Sequence, residues 1–203
     1  MDSALAIASV TAVLKNLLED GLVDRGVIAS IGSDATVSAL PPDRITVGSE
    51  ERAQLNLFLY QVSPHTGLRS SERSSAAGKN APRTAAPLAL DLYYLLSAYG
   101  AQDYQGEILL GYALQLLHET PALKREAIRA ALAAQSATGD GRIVPPTLAA
   151  LAASSLADQL EQITVSPQFL NTEELARLWS AVQAHLRPSA VYKVSLVLIE
   201  RRA

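Results

Sequence analysis

The residue types that most often carry out chemistry are few in this chain, and their spacing matches no catalytic or metal-site motif. The 203 residues include three histidines, His65, His118 and His185, but no cysteine. Disulfides, thiolate nucleophiles and cysteine-ligated metals are therefore excluded. The histidines fall on separate predicted elements, without the ligand spacing of a zinc motif such as HExxH. We interpret each of them as a structural residue.

A glycine-lysine pair, Gly78-Lys79, superficially resembles the end of a phosphate-binding loop. That motif requires glycine at position 73 and serine or threonine at position 80, where the chain has Arg73 and Asn80. A GxSxG elbow, an EF-hand loop and a GxGxxG turn are absent as well. We therefore expect no catalytic residues, no cofactor and no metal site, which favours a structural protein over an enzyme.

Several carboxylates and the tryptophan have structural explanations. Glu173 and Glu174 open a predicted helix, where negative charge is favourable near the positive end of the helix dipole. Trp179 lies on the apolar stripe of the same helix, which indicates a core position. Asp91 projects from an otherwise apolar strand, and two interpretations stay open: a solvated side chain, which we favour, or one paired with a basic group on a neighbouring strand.

The composition is typical of one globular domain over residues 1–203. Hydrophobic residues make up 49% and charged residues 18% of the chain, enough apolar material for a substantial core. The formal net charge of −3 provides no general attraction to nucleic acid or to an acidic membrane. No apolar run reaches the roughly 18 residues of a spanning helix, and the N-terminus lacks a cationic signal region. We therefore expect a protein made and retained in the cytosol.

Two long stretches of alternating apolar residues organise the predicted fold. Leu88–Gly100 and Ala53–His65 both alternate on a two-residue period, and we predict that they pair, with the former as the central strand. A third stretch, Val191–Ile199, is the predicted final strand, with one face formed by Tyr192, Val194, Leu196 and Leu198. Shorter strands are predicted at Ala35–Leu40, Arg44–Val47 and Leu160–Val165.

Apolar residues at helical spacing predict helices around these strands. The predicted helices are Asp2–Glu19, Gly106–Thr120, Ala122–Gln135, Thr147–Ala153 and Asn171–His185. Gly21 is interpreted as the stop after the first helix. The short link at Pro121 predicts a helical hairpin, and Asn171 with Glu174 has the spacing of a capping box. The element order predicts an α+β fold in which a mixed or antiparallel sheet is flanked by helices.

The connection between the two long strands, roughly Pro64–Pro87, is the first candidate partner-binding segment. It carries one carboxylate, Glu72, and four cations, which are Arg69, Arg73, Lys79 and Arg83. One interpretation is a solvated hairpin tip. The other is a basic arm that becomes ordered against an acidic partner surface.

The predicted final strand is the second candidate. At an edge of the sheet, its unpaired backbone groups would form a template for a strand from another chain. The candidate positions are Val191, Lys193, Ser195 and Val197. A proline at Lys193 or Ser195 is expected to block such pairing, because it removes a backbone donor.

Several stretches, taken together and in order, carry a family resemblance. They are NLFLYQVSPHTGLR (Asn56–Arg69), LALDLYYLLSAYG (Leu88–Gly100), LLGYALQLLHETPALKREAIR (Leu109–Arg129), LADQLEQITVSP (Leu156–Pro167), LNTEELARLWS (Leu170–Ser180) and YKVSLVLIE (Tyr192–Glu200). The chain resembles the tail-terminator, or cap, proteins of extracellular contractile injection systems of the antifeeding prophage and Photorhabdus virulence cassette type. The resemblance covers nearly the whole chain and is weakest at residues 26–48 and 70–84.

The resemblance implies a fold and a role that composition and periodicity do not supply. It implies a tail-terminator-like fold and a hexameric ring, seated on the last inner-tube ring and in contact with the last sheath ring, distal to the baseplate. Such a ring stops polymerisation and helps to set particle length. We expect cytoplasmic assembly into a particle that can be released, with no nucleic-acid or membrane partner. Another ring or adaptor of the same machine, in the baseplate or at tube initiation, is the alternative, and a small-molecule enzyme is a third class.

Overall fold

The computed structural model describes residues 5–65, 88–134 and 162–199. Its strands are β1 (Thr36–Ser38), β2 (Gln54–Pro64), β3 (Leu88–Tyr99), β4 (Ala122–Lys124), β5 (Gln162–Gln168) and β6 (Ser189–Ile199). Its helices are α1 (Ala6–Asp24), α2 (Val27–Ile31), α3 (Gln105–Glu119), α4 (Arg125–Ala134) and α5 (Thr172–Ala181). Two single turns of 3-10 helix, Pro42–Arg44 and Gly48–Glu50, lie between β1 and β2.

The strands form a six-stranded mixed sheet in the order β1-β2-β3-β6-β5-β4. β1 runs parallel to β2, and the other neighbouring strands of the described residues are antiparallel. β3 lies between the two other long strands, β2 and β6. The predicted central strand, its pairing with the earlier long strand, and the α+β class with a mixed sheet are therefore confirmed.

Helices cover both faces of this sheet. On one face, α1, α3 and α4 enclose the main core, in which Leu92, Tyr94 and Leu96 of β3 are fully buried. On the other face, Leu95 of β3 packs in a smaller cluster with Trp179 of α5. The predicted core position of Trp179 is confirmed, since the residue is only 2% exposed. The side chains on the two faces of β3 thus pack in two separate cores, rather than in one core with a half-exposed face opposite it.

A β-bulge in β6 changes which residues of that strand enter the core. Two β6 residues, Ser195 and Leu196, stand opposite the single residue Asp91 of β3. Because the extra residue moves the alternation by one position, Val197 pairs with Leu90 on the core face. Val197 therefore joins Tyr192 and Val194 in the main core, although the predicted face did not include it.

Gly21 does not end the first helix, which continues to Asp24. A Cβ atom at Gly21 would overlap the end of the Leu116 side chain in α3, so a larger residue would require Leu116 to move. The helix passes through Gly21, and the predicted stop is wrong. The chain turns instead at Gly26, which has a left-handed φ of 62°.

Three other predicted elements differ from the structure. The stretch predicted as a helix from Ala122 begins as strand β4, which pairs with β5, and the helix that follows packs mainly on α1. The predicted hairpin at Pro121 is therefore wrong, because a strand separates the two helices. The predicted strand Arg44–Val47 is also wrong, because this region contains a 3-10 turn and irregular backbone.

The predicted capping box at Asn171 is confirmed, with Glu174 as its partner. α5 nevertheless ends at Ala181, before the predicted end at His185. The predicted helix Thr147–Ala153 lies outside the described residues.

Candidate partner-binding surfaces

The predicted edge position of the final strand is wrong. β6 lies inside the sheet, where Lys193 stands opposite Tyr93 of β3 on one side and Ser166 of β5 on the other. β5 lies beside β6 in the sheet and covers its outer side, and the β5 side chains Ile163 and Val165 are part of the main core. A proline at Lys193 or Ser195 would break pairing within the sheet, so it would not test partner binding. Val191 and Val197, the other two predicted positions, are buried.

The basic loop residues Arg69, Arg73, Lys79 and Arg83 lie outside the described residues. The structure does place the two flanks of the loop side by side. The N–H of His65 donates to the carbonyl oxygen of Ala89 at 2.8 Å, directly after the pairing of Pro64 with Leu90. The loop therefore begins and ends at the same end of the β2–β3 hairpin, and its partner contacts stay a prediction.

Beyond β1, the outer side of β2 is an edge that no strand of the described ranges covers, and sequence reasoning missed it; it is called the open edge below. β1 pairs only with Gln54, Leu55 and Asn56 of β2. From residue 57 to residue 64, no strand of the described residues pairs with β2 on the side away from β3. Backbone N–H and carbonyl groups along this side of a long strand can form hydrogen bonds with a further strand.

The side chain of Asn56 explains why β1 ends where it does. This amide is fully buried, and its oxygen accepts hydrogen bonds from the Ser38 hydroxyl at 2.7 Å and the Leu40 N–H at 3.0 Å. Its nitrogen donates to the carbonyl oxygen of Leu40 at 2.9 Å. One side chain thus satisfies the backbone of the segment that follows β1, and that segment leaves the strand edge without losing hydrogen bonds.

A second bulge and an aromatic pair lie along the open edge. The register of β2 with β3 shifts between Leu59 and Gln61, so Tyr60 is an extra residue. Its ring centroid lies 6.3 Å from that of Tyr93, with the ring planes at 56°. Burial, followed by the neighbouring Tyr93, raises the pKa of Tyr60. The Tyr60 phenol therefore stays neutral at physiological pH, and the pair presents an aromatic surface with hydroxyl groups beside the edge.

His65 and Asp91 fasten the far end of the hairpin. Nδ1 of His65 lies 2.9 Å from Oδ1 of Asp91, and Asp91 is only 6% exposed. Of the two open interpretations of Asp91, pairing with a basic group is confirmed, and the favoured one, solvation, is wrong. The contact joins β2 to β3 directly beside the basic loop, which agrees with a structural role for His65.

The opposite end of the sheet is held by an ion pair. Arg187 Nη2 lies 2.9 Å from Oε2 of Glu51, whose other oxygen accepts the N–H of Gly100 at 3.1 Å. The Arg187 guanidinium also lies 5.7 Å from the ring centroid of Tyr99. Burial is the largest influence on Tyr99 and raises its pKa. Side chains thus link the segments around β2, β3 and β6 at this end of the sheet.

Within the described ranges, no group of three or more histidine, cysteine, aspartate or glutamate side chains could hold a metal ion. Among the helices of the same ranges, none has the length and apolar character needed to cross a membrane.

Comparison with protein families shows which family the chain belongs to. The sequence model of the Pvc16 N-terminal domain matches residues 9–203, so the chain is a member of that family. This membership confirms the resemblance to the tail-terminator proteins of extracellular contractile injection systems. None of the curated proteins matches the chain.

Two solved structures are similar to the chain. One is the sheath/tube terminator of the extracellular contractile injection system PVC in its extended state, with 15% identity and a TM-score of 0.47. The match covers 89% of this chain and 56% of that one. The other is the tube-terminating cap of the anti-feeding prophage, with 14% identity and a TM-score of 0.47, covering 91% of this chain and 55% of that one. The chain thus spans about half the length of the structures that it matches.

Proposed function

We propose that this protein is the cap of a contractile injection system. Six copies form a ring on the last inner-tube ring, contact the last sheath ring, and close the end of the particle distal to the baseplate. The ring stops polymerisation and helps to set particle length. The observation that carries the proposal is the family match over residues 9–203. The protein acts as one structural domain over residues 1–203, without catalysis, and joins a particle that assembles in the cytoplasm.

The open edge of β2 supports this role, because a cap must bind neighbours through fixed surfaces. An extended segment of a terminal sheath subunit would add to residues 57–64, with backbone hydrogen bonds providing affinity. The Tyr60–Tyr93 pair lies beside this edge and supplies aromatic contact area. This placement replaces strand addition at β6, where both sides of residues 191–195 are paired within the sheet.

The position of the chain within the particle tests the proposal. Purified particles would be labelled with gold-conjugated antibody against the chain and imaged by negative-stain electron microscopy. We expect label at the end distal to the baseplate, on particles in both extended and contracted forms. Label at the baseplate would support the alternative, another ring or adaptor of the machine. Particles that carry no label at either end would overturn the proposal.

A further inference from the structure

The outer side of β5, the side away from β6, is covered by β4 over only part of its length. β4 pairs with residues 162–164, and just beyond them the Val165 N–H donates to the carbonyl oxygen of Pro121 at 2.8 Å. Along residues 166–168, no strand in the described ranges pairs with this side of β5. The stretch, called the β5 edge below, lies at the opposite side of the sheet from the open edge of β2.

Pro167 stands in the middle of the β5 edge, at a position whose backbone groups point outward. N–H groups alternate sides along an antiparallel strand, and the Val165 N–H points away from β6, toward Pro121. The backbone of residue 167, two positions further on, therefore points the same way. Because proline has no N–H, the β5 edge lacks a hydrogen-bond donor at this position.

The outward acceptor at the same position is already engaged. Nε2 of the Gln168 side chain donates to the carbonyl oxygen of Pro167 at 3.0 Å. On the inner side the strand is fully paired, with Ser166 opposite Lys193 and Gln168 opposite Val191 of β6. Residue 167 therefore lies in a well-fixed strand, and at its outer side the donor is missing and the acceptor is taken.

The neighbourhood of the β5 edge favours association between copies. Phe169 follows the strand directly and is 94% exposed. The open edge of β2 offers a matching donor, because the Val62 N–H points away from β3, three residues before the inward N–H of His65. Uncovered strand edges beside exposed apolar side chains are sites of edge-to-edge pairing, and proline on an edge strand is one means by which proteins prevent it.

We propose that Pro167, together with the Gln168 amide, prevents the β5 edge of one copy from pairing with the open edge of β2 in a second copy. Such pairing would be head-to-tail and would continue into a filament unless the rotation between copies closed it. With the β5 edge blocked, the sheet accepts a strand at β2 alone. The inference rests on the proposed function and deepens it, because a protein that ends a polymer must not extend into one through its own sheet.

Variants that restore the outward groups test the proposal. Pro167→Thr adds an outward N–H in a residue that favours strands, so self-association should increase at least roughly fivefold. Gln168→Ala frees the Pro167 carbonyl oxygen and should give a smaller increase. Neither change removes a backbone hydrogen bond within the sheet, so the melting temperature should stay close to that of the wild type. Self-association of the full chain is measured by sedimentation velocity over a concentration series.

Two further variants locate the contact. Ser166→Thr is the matched control, because the N–H of residue 166 faces β6, and it should leave self-association unchanged. Val62→Pro, added to Pro167→Thr, removes an outward donor from β2 and should return self-association to the wild-type level.

The outcomes distinguish this inference from the proposed function. Wild-type self-association in both Pro167→Thr and Gln168→Ala would overturn the edge protection, even for a chain that labels the particle ends. An equal increase in Ser166→Thr, or association that survives the added Val62→Pro, would overturn it as well. An increase specific to the Pro167 and Gln168 variants, in a chain that is absent from the particle ends, would support the edge protection and overturn the cap function.

Discussion

Two buried polar side chains, Asn56 and Asp91, lie on the two long strands whose pairing the apolar pattern predicts. Asn56 holds the segment after β1, and Asp91 holds His65 at the far end of the hairpin. Each satisfies groups that would otherwise be buried without a partner, which is the condition under which polar residues are tolerated in a sheet. At the residue scale, Asn56 fixes the segment that leaves β2 after β1, and Asp91 fastens the far end of the β2–β3 pairing.

Replacement of Asn56 by alanine tests this. Asn56→Ala leaves the Leu40 N–H and carbonyl oxygen without the side-chain amide, so we expect the free energy of unfolding to fall by about 2 kcal/mol. Urea denaturation followed by circular dichroism measures the loss. Gln61→Ala, on the exposed part of the same strand, is the control and should change stability by less than about 0.5 kcal/mol. Equal stability of the two variants would contradict the structural role of Asn56.

At the scale of elements, the direction of each backbone N–H of β2 decides whether its removal should affect partner binding or folding. The His65 N–H points to β3, and N–H groups alternate sides along an antiparallel strand, so the Val62 N–H points outward. Val62→Pro removes an outward donor and should weaken sheath attachment while the protein stays folded. Ser63→Pro removes a donor that faces β3, and should instead lower the melting temperature.

Attachment is measured as the fraction of particles that keep the chain after purification, and folding by thermal melting of the isolated protein. A folded Val62→Pro protein that caps particles at the normal level would exclude strand addition at this edge.

The sequence predicted the long strands, the α+β class and the start of α5, because each depends on a local pattern. Alternation over 11 or 12 residues defines β2 and β3, and the Asn171–Glu174 spacing defines a helix start. Strand order depends instead on contacts distant in sequence, so β6 could not be placed inside the sheet. The three-residue strands β1 and β4 are too short to show a period.

Gly21 illustrates the same limit within a helix. A glycine beside a helix end is a common stop signal, but here it makes room for Leu116, which is far away in sequence. The exposure of Phe169, 94%, could not be predicted either, because exposure arises only when the elements pack. In the sequence, Phe169 is an apolar residue between a predicted strand and a capping box. A side chain at such a position can be either buried or exposed.

At the scale of the whole molecule, we propose different surfaces for different neighbours. The β2 edge is the proposed site for a strand from the sheath, and the basic loop stays a predicted contact with the tube or sheath ring. Charge reversal of Arg69, Arg73, Lys79 and Arg83 should weaken capping, and more so at low salt, where surface charges are least screened.

The matched control for charge reversal is Lys124→Glu, which reverses an exposed cation on β4. Capping is measured as the fraction of closed particle ends at two salt concentrations. Normal capping by the reversed loop at low salt would mean that the loop is only solvated.

The most direct test of the central claim is the length distribution of particles made without this chain. The gene would be deleted from the intact cluster, and particle lengths would be measured by negative-stain electron microscopy, with the wild-type gene restored in trans as the control. We expect overlong, variable tubes with open distal ends, and uniform capped particles after complementation. Particles of normal, uniform length with closed distal ends in the deletion strain would contradict it.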